Sequence, residues 1–326
     1  MLFAHPQYLL ISIPTQKKIF FGKNAHYYMK RINPFKGLGI ALVTPFTNEG
    51  QVDYISLEHL IEKQIAKGVD FLCVLGTTAE TPCLTAEEKQ DIIDFTVKVV
   101  NGRIPLLLGA GGNCTATVCE YLNTADLTGI DGVLIVTPFY NRPSQEGLYQ
   151  HFCKVASSTK LPVVLYNVPS RTGTNLLAET TIRIANDCPN VVAIKEASGK
   201  MAQIEDIVAA APEGFEVLSG DDAITFELIS IGAVGVISVI GNAYPADFGK
   251  MVHAELQGDF TSALHIHRHL SPLFKLLSAP GNPAGIKALL SVKGDISNVL
   301  RLPLVPAPES VSTSFVDWMN EHATDQ

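Results

Sequence analysis

The sequence predicts an α/β chain folded as a (β/α)8 TIM barrel with an appended C-terminal helical region. Eight short apolar runs rich in β-branched residues alternate with longer amphipathic stretches from Gly37 onward. The runs are almost continuously apolar, the pattern of parallel strands covered on both faces. Neither GxGxxG nor a P-loop follows the first run, so a doubly wound open sheet lacks its usual signature. Eight units in about 220 residues fit the barrel.

The first four strands are read at GIALVTPF (39–46), FLCVLG (71–76), IPLLLGAG (104–111) and GVLIVTP (132–138). PVVLYNVP (162–169), VVAIK (191–195), FEVLSG (215–220) and AVGVISV (233–239) complete the set. Helical patterns fill the gaps. Ser56 and Thr85, each followed by acids in the first turn, open two helices by satisfying free backbone N–H groups. Lys67-Gly68 and Thr128-Gly129 close two, with glycine free to turn left-handed. Past the eighth unit the pattern is helical throughout. The chain divides into an N-terminal extension (1–36), the barrel (37–258) and the helical region (259–326). Within the extension, YLLISIP (8–14) has no basic stretch before it and no small-residue cleavage site after it, which argues against a secretory signal. Met29 is an alternative start.

Composition narrows the function. Of 326 residues, 47% are hydrophobic and 17% charged, the balance of a soluble chain with a sizeable core. No apolar run reaches the ~18 residues of a membrane span. A formal net charge of −8, with acids and bases interspersed, argues against nucleic acid as a partner. Cys73, Cys83, Cys114, Cys119, Cys153 and Cys188 form no CxxC pair and read as reduced packing residues of a cytoplasmic protein.

Barrel active sites form where strands end, at their carboxyl termini. There this sequence collects its unusual polar residues: GTTAE (76–80), TPFYN (137–141), YNVPSRTG (166–173), Lys195-Glu196 and SGDD (219–222). GAGGN (109–113) lacks the spacing of a phosphate loop. Tyr166 and Lys195 are 29 residues apart, about one βα unit, which sets them on neighbouring strands at similar height. Alternation of Val164/Tyr166 and of Val191/Ala193/Lys195 turns both inward. An amine in a mostly apolar mouth loses the solvation that favours its charged form. The neutral amine attacks a ketone to give an iminium, and a neighbouring tyrosine moves the protons. The plainer reading makes Lys195 half of a salt bridge with Glu196 and Tyr166 a packing residue with a wet hydroxyl.

At these residues the sequence resembles the dihydrodipicolinate synthase / N-acetylneuraminate lyase family. The matching segments are GTTAE, TPFYNRPSQEGLYQHF (137–152), LYNVPSRTG, IKEASG, LSGDD and GVISV, in order and at the family's spacing. The resemblance implies a Schiff base between Lys195 and pyruvate, with proton relay by Tyr166, Thr77 and Tyr140, the last reaching into a neighbouring subunit's site. It implies that Thr78 holds the pyruvate carboxylate. Arg171 would bind the carboxylate of the second substrate, a task suited to a planar donor fork. Gly220, Asp221 and Ile237 would line the same pocket. The implied reaction condenses pyruvate with L-aspartate-4-semialdehyde to 4-hydroxy-tetrahydrodipicolinate, in lysine and diaminopimelate synthesis, without metal or cofactor, in a homotetramer built as a dimer of dimers. The SRTG arrangement favours this over a lyase of a sugar acid such as N-acetylneuraminate. A non-catalytic barrel is disfavoured by retention of Lys195, Tyr166, Thr77 and Thr78.

Several features stand apart. Ala79 occupies a position where the family usually has glycine, a strain of about 1 kcal/mol if the backbone there needs positive φ. GNPAGIK (281–287) differs from many members and has no assigned consequence. Lysine-inhibited members bind lysine at an interface, and the corresponding positions here are Ala86, Lys89, Thr117 and Phe139, which predicts insensitivity to lysine. HIHRH places His265 and His269 on one helical face, a possible metal pair read instead as solvated or interface histidines.

Overall fold

The computed structural model describes residues 31–322. Eight parallel strands close a barrel in chain order. They are β1 (Gly37–Ala41), β2 (Phe71–Val74), β3 (Leu106–Gly109), β4 (Gly132–Val136), β5 (Val163–Asn167), β6 (Val191–Glu196), β7 (Glu216–Ser219) and β8 (Gly235–Ser238). β8 pairs back onto β1, with Gly37 opposite Gly235 and Ile40 opposite Ser238. Each strand lies within or beside its predicted run and most are shorter. The run ends leave the ladder to build the barrel mouth, where Pro45, Pro138 and Pro169 have no N–H to donate.

Side chains fill the barrel rather than leaving a pore. Phe71, Cys73, Leu107, Leu134, Val164 and Leu218 belong to the buried interior cluster, while a second and larger apolar cluster joins the barrel to its helices. Gly39 has to lack a side chain, because a Cβ there would stand 2.1 Å from the ring of Phe71. One predicted alternation breaks. Val163 pairs with Val191 but Val164 pairs with Ala193, so the extra residue Val192 is a bulge. Val191 consequently packs with the helix-side cluster, while Val192 and Ala193 join the interior.

Helix starts are partly as predicted. Thr85 caps helix Ala86–Val100 in a full capping box with Glu88. Helix Tyr54–Ala66 begins earlier than Ser56: Asp53 caps it, accepting from the backbone N–H groups of Ile55 and Ser56. Gly68 turns left-handed just beyond that helix, whereas Gly129 does so in a connection well after helix Thr115–Thr124 has ended.

The predicted extension lies outside the described residues up to 30. Its last residues belong to the barrel. Phe35 is completely buried, its ring 5.3 Å from that of Phe71. Asn33 donates to the Phe35 carbonyl and to Glu216 of β7. At the other end, helix Phe260–Ser278 packs on helix Pro245–Leu256. Helix Ala284–Val292 is buried all round from Ala284 to Leu290. Helix Glu309–Glu321 closes the described chain. Among the described residues no helix is long and apolar enough to cross a membrane.

Because Phe35 fills the barrel end against Phe71, Phe35→Ala is expected to lower stability by about 3–5 kcal/mol. Denaturant unfolding of the two proteins measures this, with the slope unchanged.

Candidate active site

The β5/β6 register sets Tyr166 directly opposite Lys195. Lys195 is 6% exposed, and its ammonium nitrogen stands 4.5 Å from the centre of the Tyr166 ring. The salt bridge with Glu196 does not form. Consecutive strand residues face opposite sides, and the Glu196 carboxylate is wholly buried away from the barrel mouth. It accepts from Asn167 Nδ2 at 3.1 and 3.2 Å, from the Ser198 N–H at 2.9 Å and from Gln203 Nε2 at 3.3 Å. Burial still pushes its carboxyl group upward in pKa, opposed by those donors. No carboxylate of the described residues lies within ion-pairing distance of Lys195.

Two small neighbours give Lys195 its room. A Cβ on Gly220 would approach the lysine Cε to 3.0 Å and Ala197 Cβ to 2.8 Å. Cys73 lies beneath, and burial pushes its thiol up to about 11, so it stays neutral at pH 7 despite the nearby lysine.

A cavity of about 340 Å³ opens above these groups, lined among others by Thr77, Thr78, Tyr166, Arg171, Lys195 and Asp221. A second of about 410 Å³ adjoins it, sharing Thr77, Tyr166 and Arg171 and reaching Lys89 and Phe139. Thr77 to Ala79 form one 3-10 turn, pinned by Thr81 Oγ1 on the Gly76 carbonyl (2.8 Å) and Thr44 Oγ1 on the Ala79 carbonyl (2.9 Å). Ala79 does not have positive φ; the left-handed residue is Glu80, at +55°. The strain expected at Ala79 is therefore absent.

Most of the predicted residues converge. Gly220 and Asp221 line the first cavity, while Ile237, 1% exposed, packs in the barrel interior. Asp221 accepts from the Ala223 N–H as a local cap. Ile237 does not line the predicted pocket, and neither does Tyr140. Tyr140 is 89% exposed at φ +73° in the loop after β4 and lines neither cavity.

Two residues were missed. Asn282 donates from Nδ2 to Thr78 Oγ1 at 2.9 Å and accepts at its carbonyl from Arg171 at 3.0 Å, joining the two predicted carboxylate binders. Asp222 accepts from the N–H groups of Val239 and Ile240 and fastens the end of β8; burial pushes its carboxyl up to about 6. The Asn-Pro of GNPAGIK and the doubled acid of SGDD were the available signals. HIHRH disperses: His269 packs on Trp318 and His322, His267 on Phe226 and Phe274, and His265 is exposed. Among the described residues no three His, Cys, Asp or Glu side chains are grouped to hold a metal.

The family model described as "Dihydrodipicolinate synthetase family" matches residues 34–322. The 4-hydroxy-tetrahydrodipicolinate synthase of Phocaeicola vulgatus is 58% identical over 83% of this chain and 91% of its own. That of Bacillus subtilis is 46% identical over 88% and 99%. The crystal structure of the dihydrodipicolinate synthase of Thermotoga maritima superposes with a TM-score of 0.87 at 42% identity, over 89% of this chain and 99% of that one. The enzyme of Cyanidioschyzon merolae, crystallised with lysine bound, gives 0.84 at 36% over 91% and 99%. With a barrel of that architecture and a family match over nearly all the described residues, the chain belongs to the dihydrodipicolinate synthetase family.

Proposed function

We propose that this chain condenses pyruvate with L-aspartate-4-semialdehyde to give 4-hydroxy-tetrahydrodipicolinate, through a Schiff base on Lys195. The observation that carries this reading is a buried lysine with no counter-charge, set face to face with a tyrosine at the mouth of a barrel. The relatives above are named as synthases, which supports condensation over cleavage of a sugar acid.

The neutral Lys195 amine adds to the pyruvate ketone, and the carbinolamine loses water to become an iminium. The iminium withdraws electrons from the adjacent methyl group, which loses a proton to leave an enamine. The enamine carbon attacks the semialdehyde carbonyl, whose oxygen takes up a proton. Finally the amino group of the second substrate adds to the imine carbon, closes the ring and expels Lys195. Each step needs a proton moved over a short distance, the work assigned to Tyr166 with Thr77. Thr78 holds the pyruvate carboxylate. Arg171 uses one nitrogen on the Asn282 carbonyl and keeps its other donors for the second carboxylate. Gly220 and Asp221 border the substrates, and Ile237 supports them from below.

No group beyond the protein and its substrates is required, since the electron sink is the iminium itself. Tyr140 completes the relay in the site of a neighbouring subunit. Its exposure and its absence from both cavities of its own chain support that placement, and a homotetramer made of two tight dimers would supply it. The protein would work in the cytoplasm with its cysteines reduced.

Borohydride reduction with pyruvate, followed by peptide mass mapping, should leave a stable adduct on Lys195. Lys195→Ala should abolish it, and an adduct elsewhere would overturn the assignment. Tyr166→Phe should cost about 10²–10⁴-fold in turnover. Gly220→Ala, by crowding Lys195 Cε, should slow adduct formation about tenfold or more in a folded protein. At the lysine-binding positions of inhibited relatives, Ala86, Thr117 and Phe139 offer no carboxylate and Lys89 adds a cation. Initial rates should accordingly be unchanged by sub-millimolar lysine, and strong inhibition would refute this reading.

A further inference from the structure

The Thr77–Ala79 turn borders both cavities, yet its deepest anchor lies behind it, outside the site. Glu80 and Lys287 form an ion pair at 2.5 Å with both side chains wholly buried. They are far apart in sequence, one ending the GTTAE segment and the other ending GNPAGIK. Glu80 Oε2 also accepts from the Arg301 N–H at 3.0 Å. Lys287 Nζ donates to the Val299 carbonyl at 3.0 Å and lies 4.1 Å from the centre of the Phe46 ring. The Arg301 guanidinium lies 4.5 Å from the same ring and binds Glu88 through two nitrogens.

Two facts separate this pair from ordinary packing. A buried ion pair is on balance a poor source of stability against apolar residues of the same volume, so stability alone does not account for it. Its carboxylate also belongs to the residue whose backbone is left-handed, directly after Thr77, Thr78 and Ala79. A side chain at positive φ persists only where the surroundings over-determine it, and Glu80 is gripped at both carboxylate oxygens. The segment that ends in Lys287 also carries Asn282, which holds Thr78 Oγ1. The turn is thus held from the cavity side by Asn282 and from the buried side by Lys287.

We infer that Glu80 and Lys287 are positioning residues for the reaction. They never touch substrate, and they set the Thr77-Thr78 turn at the height where it meets the pyruvate carboxylate. This rests on the function proposed above. Burial lowers Lys287 to about 8 even beside Glu80, which leaves it mostly charged at pH 7 and able to hold the carboxylate.

The test uses the full chain, with pyruvate and borohydride trapping at Lys195 alongside steady-state kinetics. Lys287→Met should raise half-saturating pyruvate about tenfold or more, while kcat and the half-saturation for the semialdehyde stay within about threefold. Simple destabilisation would lower the active fraction, and hence the apparent kcat, without moving half-saturation. Lys287→Met strands a buried carboxylate, so the paired variant Glu80→Gln with Lys287→Met is made as well; it keeps an acceptor for the Arg301 N–H and removes both charges. It should melt close to the unmodified protein and show the same pyruvate shift. Unchanged pyruvate saturation in either folded variant overturns the inference and leaves the proposed function standing. If neither variant folds, the pair serves the fold rather than the turn, and the inference is likewise overturned. No adduct in the unmodified protein would overturn both readings.

Discussion

The site depends on keeping one lysine buried without a counter-charge, while a carboxylate follows it in the chain. If the Glu196 carboxylate met Lys195, the amine would be tied up in an ion pair instead of facing the cavity unpaired. The strand pleat prevents that by sending the two side chains to opposite faces. The pleat alone is insufficient, because an unsatisfied buried carboxylate costs several kcal/mol. Asn167, Ser198 and Gln203 satisfy it with neutral donors. On the inner face the surroundings of Lys195 are neutral or small: a protonated thiol at Cys73, a missing side chain at Gly220 and the ring of Tyr166.

Glu80 poses the same desolvation problem and meets it differently. Its partner is a buried cation, Lys287, with Arg301 adding a backbone donor. The difference follows from position. A second ammonium group held against Glu196 would lie one residue from Lys195, where its field would add to every charge change in the site. Behind the Thr77–Ala79 turn, the pair is close enough to fix the backbone, and its charges cancel. Neutral donors serve the acid beside Lys195, and an ion pair serves the acid at the end of the Thr77–Ala79 turn.

Much of this was legible because it is local. Apolar runs locate all eight strands, and their spacing sets Tyr166 and Lys195 at similar height on neighbouring strands, where the register pairs them. The failures are of two kinds. Asp53 in place of Ser56 as a cap, and the bulge at Val192, are choices among near-equal local options that tertiary packing decides. The barrel-end role of Phe35, the bond from Asn282 to Thr78 and the Glu80–Lys287 pair are long-range, and spacing along the chain carries no record of them. Tyr140 is intermediate: its motif identified it, yet the described chain leaves it exposed and away from its own cavities.

The GTTAE segment shows why a motif position and its physical requirement need separating. A family preference for glycine at the fourth residue suggested a left-handed backbone there. In fact Ala79 continues the 3-10 turn, and the left-handed residue is the next one. Glycine at position 80 would relieve roughly 1 kcal/mol of local strain. It would also remove the carboxylate that the C-terminal helical region grips. The local conformation favours one residue and the long-range contact another. That glutamate is present indicates which requirement is stronger: the turn can tolerate a strained backbone, but it cannot hold its position without a handle.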